Sequence, residues 1–225
     1  MAIGIVGAVL CAQDDAKDRL ARQRLEKNAQ FVIWHDLPNR RIENMKPYAG
    51  VIDLSQDMIN DYAAPFPPLN LEQELYKNAK RSDAIVIGTA LGKLSALTPG
   101  HSYVYSDWTI KVSRVFKNVS KIGAAPGDEI TVVEPGGDLT IDGVHVQAHN
   151  KSEPELTLGH EYILYLKAHP ESSSFQGYPR IDVTAGKLDL LLDPRDPTPL
   201  REFCQSISMD AFLAAVQNNL AEQRL

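Results

Sequence analysis

Histidines, cysteines and carboxylates are the residues here that could carry chemistry, and their spacing limits what they can do. His145, His149 and His160 are the closest histidines in sequence, and grouped imidazoles suggest a metal. Four residues of strand separate His145 from His149 by ~13 Å, too far for one zinc unless the chain bends at Ala148. They are read as loop or solvent-facing side chains. Asp128, Glu129, Glu134 and Asp138 sit among turn residues, where solvated acids are expected, and Glu134 to Asp142 lacks the alternate acids of a calcium loop. Gly136 and Gly137 are followed by Asp138, which would repel a phosphate, so they are read as turn residues. There is no Gly-x-Ser-x-Gly elbow and no cysteine and histidine in a catalytic context. Cys204 is read as a buried small residue rather than a nucleophile. No catalytic, cofactor-binding or metal-ligating residue is assigned, and no cofactor is expected.

The elements that would position any site lie between Ser82 and Leu192, where short apolar runs are separated by Pro and Gly turns. In Asp83 to Leu91, Ile85, Ile87 and Leu91 share one face while Val86 and Ala90 form a second, so the strand is apolar on both sides. Val104, Trp108, Ile110 and Val112 alternate with Tyr105, Asp107, Thr109 and Lys111. The phase breaks at Val115 and Phe116, which predicts a bulge or a strand end. After the Pro126-Gly127-Asp128 turn, Ile130 and Val132 alternate with Thr131 and Val133. Asp142-Gly143 predicts a two-residue hairpin pairing Ile141 with Val144, Thr140 with His145 and Leu139 with Val146. Tyr162 to Leu166 reads as a strand buried on both faces, followed by Tyr178 to Val183 and Lys187 to Leu192.

Strands at this spacing suit a sandwich or a barrel. Four pieces, Ser82 to Gly88, Ser106 to Lys117, Gly127 to Val133 and Gly159 to Lys167, together resemble the OB-fold of the netrin-like and tissue-inhibitor-of-metalloprotease superfamily. The resemblance spans roughly half the chain and implies a mainly β fold, a small closed OB-like β-barrel with a short helix before it and a C-terminal helix. It does not carry over metalloprotease inhibition. The inhibitors use an N-terminal cysteine just ahead of the first strand, whereas Cys11 is far from Asp83 and no cysteine lies between Ala12 and Phe203.

The net charge is −6, and the barrel stretch is itself acidic, which argues against nucleic-acid binding. Ala2 to Ala12 is uncharged and apolar, then turns polar at Gln13, Asp14 and Asp15. This is the shape of a signal peptide's apolar region without its basic start, and it is too short to span a bilayer. A lipoprotein reading at Cys11 is disfavoured by the large Leu10. Cleavage after Ala12 or Gln13 would leave Cys204 unable to form an intrachain disulfide. The sequons at Asn118 and Asn150 would matter only in a eukaryotic secretory route.

The chain therefore divides into residues 1–13, a truncated signal peptide; 14–81, an arm; 82–192, the barrel; and 193–225, a Pro-rich linker and helix. Asp14 to Gln30 has only Leu20 and Leu25 as large apolar residues, so a helix there would bury little. Phe31 to Leu69 shows no sustained period and is expected to drape over the barrel or to be partly disordered, with Trp34, Tyr48, Tyr62 and Phe66 available as anchors. Asn70 and Gln73 form a capping pattern ahead of the Leu71, Leu75, Ala79 stripe. Ser208 and Asp210 open a terminal helix with Phe212, Leu213, Val216 and Leu220 on one face. The expected function is a secreted or periplasmic binding module with a protein partner. The alternative is a metal-dependent or hydrolytic enzyme with its site between barrel and arm; without a signal peptide the protein would be cytoplasmic.

Overall fold

A computed structural model describes residues 19–29, 51–54, 71–149, 154–191 and 199–222. The apolar run with Cys11, the sequon at Asn150, the four aromatic anchors, the Asn70 cap and residues 193–198 of the linker lie outside them. The fold is mainly β, with two sheets and a few helices.

Five long strands form the larger sheet: β2 (Ala84–Leu97), β3 (Val104–Asn118), β4 (Glu129–Pro135), β7 (Glu161–His169) and β8 (Ser174–Asp182). β2, β3 and β4 run as an antiparallel meander, and β7 returns antiparallel beside β2. β8 pairs antiparallel with β7 and also parallel with β4 at Val132↔Phe175, which makes the sheet ring-like. The short β9 (Asp189–Leu190) adds to β8, and only these two residues of the predicted strand Lys187 to Leu192 pair.

Alternation divides each strand between two cores. Val86, Trp108, Ile110, Ile130, Val132, Tyr162, Leu164, Leu166 and Phe175 fill the ring. Ile85, Ile87, Ile163, Tyr165 and Ile181 face outward under the helices. β3 continues to Asn118 because three register shifts against β2 absorb the phase break at Val115 and Phe116. One shift falls between Ala90 and Gly92, leaving Leu91 50% exposed rather than on the face of Ile85 and Ile87.

The stretch 82–192 does not form a single sheet. The hairpin of β5 (Gly137–Ile141) and β6 (Val144–Ala148) leaves the ring and joins β1 (Val51–Asp53) in a three-stranded sheet, with β1 parallel to β6. The hairpin register is the one Asp142-Gly143 predicts, with positive φ at both residues. Val51–Asp53 thus lies within a segment expected to lack regular structure. The 14–30 helix also differs from expectation. Residues 19–29 form helix α1, whose Leu25 and Ala29 pack on Tyr105 and Val133.

Helices α2 (Leu71–Arg81), α3 (Pro199–Ser206) and α4 (Met209–Glu222) cover the outer face of the ring. α3 opens on Pro199, where proline's missing N–H costs nothing in a first helical turn. Ser208 Oγ accepts from Ala211 N at 3.3 Å and caps α4. Its stripe of Phe212, Leu213, Val216 and Leu220 is buried against the sheet and α2. Each such side chain contributes about 1.5–3 kcal/mol on burial. None of the described helices is long and apolar enough to cross a membrane.

Candidate functional site

The histidines are not brought together. His145 lies on β6 opposite Thr140, His149 Nδ1 is 3.8 Å from Glu155 Oε1, and His160 Nδ1 is 2.7 Å from Asp182 Oδ2. Among the described residues no three or more His, Cys, Asp or Glu side chains group around a metal position. Cys204 is buried in the outer core, and burial, with Asp189 adding to it, pushes its thiol up to about 12.

The acids split three ways. Asp128 Oδ2 accepts from Ala125 N at 2.7 Å within its turn, and Glu129 is exposed on β4 opposite Lys111. Asp138 accepts from Lys93 Nζ at 2.8 Å, and this bond holds its carboxyl below the usual range; Glu155 accepts from the same ammonium at 2.8 Å. Glu134 is not a solvated turn acid. It is 4% exposed and paired with the buried Arg180, because it shares the parity of Ile130 and Val132 and so points into the ring. Gly136 and Gly137 do turn the chain at positive φ. A Cβ on Gly137 would collide with Ser106 Oγ unless that side chain moved, and its positive φ independently favours glycine.

The site that stands out is where α1 meets the ring. Asn28 Nδ2 donates to both oxygens of Asp107, at 2.9 and 2.8 Å, and Arg24 Nε donates to Asp107 Oδ2 at 3.2 Å. Ser174 Oγ donates to Asn28 Oδ1 at 2.6 Å, and the Tyr105 hydroxyl donates to the Leu25 carbonyl at 2.6 Å. Asn28, Asp107, Tyr105 and Ser174 are all buried. Burial raises Asp107 above the usual carboxyl range against the lowering pull of Asn28 and Arg24. Burial, with the charges of Asp107 and Glu26, also raises Tyr105, which stays a neutral donor.

Against the β2–β3 turn, α1 leaves a cleft of about 460 Å³. Leu25, Ala29, Ala96 and Leu97 form its apolar wall, and Arg22 and His101 lie among its polar lining. This volume falls within the range of small-ligand pockets. Reading the sequence alone missed Asp107, Asn28 and Arg24. Their signal was the i, i+3, i+4 stripe of Leu25, Asn28 and Ala29, which is apolar apart from one amide able to bridge an acid. No protein-family model matches the chain, and no curated protein is detectably similar to it.

Proposed function

We propose that this chain is a secreted or periplasmic binding module on an OB-like barrel, and that its cleft between α1 and the β2–β3 turn receives apolar side chains of a protein partner. The barrel reading is supported by the ring's order, a three-strand meander, a return strand beside the first, and a last strand closing parallel onto the third. In OB-folds the face of the second and third strands and the loop between the first two are where ligands dock. Tyr105 and Val133, under α1, belong to those two strands, and the cleft opens at that loop. The netrin-like affinity of the fold rests on the sequence pieces named above.

One observation carries the functional reading. α1 is held by a buried polar network, so the cleft wall it supplies is fixed in position before any ligand arrives. The apolar wall of Leu25, Ala29, Ala96 and Leu97 supports the binding of an apolar side chain there.

Selection of a random peptide display library on the whole protein tests this. Selected peptides are expected to carry apolar anchors, to shift amide resonances of Ala96 and Leu97, and to lose binding to Ala96→Trp, which fills the cleft. Peptides that bind Ala96→Trp equally well would remove the cleft from the proposal. Recovery of the native protein in a cytosolic fraction would remove the compartment.

A further inference from the structure

The opposite end of the β2–β3 hairpin has a different character. Ala84 opens β2 beside Asn118 of β3 and Leu166 of β7, so residues 76–84, 114–122 and 166–169 converge there. These three segments carry seven Lys or Arg and a single acid, Asp83, whereas the rest of the chain carries 16 Lys or Arg against 28 Asp or Glu. A protein of net charge −6 thus carries one cluster of seven cations with a single acid among them.

The convergence is held by specific bonds. Lys167 Nζ lies 3.0 Å from Asp83, Val119 N donates to the Asp83 carbonyl at 2.8 Å, and Lys117 Nζ donates to the Ala79 carbonyl at 2.6 Å. Lys77, Lys80, Arg81, Lys121 and Lys167 are exposed around them. Burial holds Lys117 below the usual lysine range, and the nearby Lys167 adds to this against the pull of Asp83, as expected of crowded cations. Between the cations the loop after β3 is fixed by Asn118, whose Oδ1 accepts from Ser120 N at 3.1 Å and Ser120 Oγ at 2.7 Å. That turn leaves Val119 71% exposed, the most exposed of the large apolar side chains described.

We propose that this end is a docking surface for a membrane bearing anionic lipid headgroups, with Lys77, Lys80, Arg81, Lys121 and Lys167 over the headgroups and Val119 entering the interface. Acids more than a Debye length of ~8 Å from the patch are screened at physiological salt, which leaves Asp83 within it and Glu74, one turn from Lys77, as the near opposing charges. Val119 distinguishes a membrane from other polyanions. An apolar side chain raised on a rigid turn among cations gains from the acyl boundary, and gains nothing from a phosphate or sulfate chain. Tyr76 is the exposed aromatic on the α2 side, and Lys80 lies over its ring at 5.9 Å. A stacking platform for bases would need several such rings.

Sedimentation with sucrose-loaded vesicles of phosphatidylcholine, alone or with roughly a third phosphatidylserine, tests the proposal at low and high salt. At low salt the protein is expected to bind the anionic vesicles at least about tenfold more tightly than the neutral ones, and high salt should abolish the difference. Each cation removed should weaken partitioning about fivefold, so K77E/K80E/K121E should weaken it about a hundredfold or more while melting like wild type. V119S, which leaves the charge unchanged, should weaken vesicle binding severalfold and leave heparin or oligonucleotide binding unaltered. Equal partitioning into neutral and anionic vesicles would overturn the proposal. So would vesicle binding indifferent to V119S, or tighter binding to heparin or an oligonucleotide than to the anionic vesicles.

Discussion

Asn28 places one amide nitrogen within 2.9 Å of both carboxylate oxygens of Asp107, and with its own oxygen accepts from Ser174. One α1 side chain thereby joins β3 to β8 and satisfies a carboxylate that is 1% exposed. The apolar part of that contact is small: Leu25 and Ala29 on Tyr105 and Val133, with Ala96 at its edge. The polar bonds therefore decide whether α1 stays docked.

Asn28→Ala leaves Asp107 with Arg24 as its remaining donor from α1 and strips Ser174 of an acceptor. An unsatisfied buried group costs about 1–3 kcal/mol. The melting temperature should fall by several degrees, at about 2–4 °C per kcal/mol for a chain of this size. Amide exchange should show protection lost in 19–29 first while β2, β3 and β7 keep theirs. Equal loss across the ring would show that α1 is not a separate unit.

Asp107 gives that docking a pH dependence of defined sign. Its folded-state pKa lies above the reference 3.8, so the native state holds the proton more tightly than the unfolded chain. Stability contributed by this group is present at low pH and is lost as pH rises from 3.8 through the raised value. Paired urea titrations should show wild type losing stability relative to the non-titrating Asp107→Asn across that window. Wild type gaining stability relative to Asp107→Asn as pH rises would reverse the assignment.

The Glu134 and Arg180 pair lies inside the ring, both members under 5% exposed. Removing one partner strands the other charge, at about 3–5 kcal/mol, whereas replacing both with apolar groups is often neutral. Arg180→Met should therefore destabilise strongly in urea unfolding, and E134L/R180M should recover most of the loss. If the double variant is as unstable as the single, the pair is worth more than its own desolvation.

Gly137 and Gly143 both have positive φ, and they separate backbone strain from collision. A Cβ at Gly143 meets nothing within 4 Å, whereas at Gly137 it meets Ser106 Oγ at 2.2 Å and Ser95 Oγ at 2.7 Å. Gly143→Ala should cost about 1–2 kcal/mol from backbone conformation alone. Gly137→Ala should cost clearly more and loosen β5 from the ring. Equal losses in chemical denaturation would mean that the two serines rotate away freely.

Cys204, on α3, with its thiol pushed up to about 12 and its side chain in the outer core, should resist a disulfide reagent at pH 8 in the native protein. In a Cys11→Ser background, thiol release should follow opening of α3 and α4 and rise steeply in urea. Immediate reaction would place Cys204 at the surface.

What could be read from sequence was whatever is decided locally. The Asp142-Gly143 register and the bulge signalled by Val115 and Phe116 depend on residues a few positions apart, and both are observed. Glu134 was misread although the evidence lay two and four residues back: Ile130 and Val132 fix its direction, and Arg180, which makes that direction tolerable, is 46 residues away. α1 was less legible still. Its stripe is short and partly polar, and the groups that complete it are 79 and 146 residues distant. The second sheet was hidden for a similar reason, since β1 has three residues and its partner lies beyond the whole meander.

The tie between Asn28 and Ser174 also sets an order of events during synthesis. Ser174 follows Asn28 by 146 residues, so at ~5–20 residues per second the ribosome delivers it ~7–30 s after the helix that needs it. Asp107 itself follows Asn28 by 79 residues, so α1 waits first for the carboxylate and then for Ser174, with a long loop to close before it gains anything in return. The helix made first is thus expected to be the last to settle, leaving the nascent chain with a late, separable step at which it is most exposed to proteases and to mispairing with a neighbour.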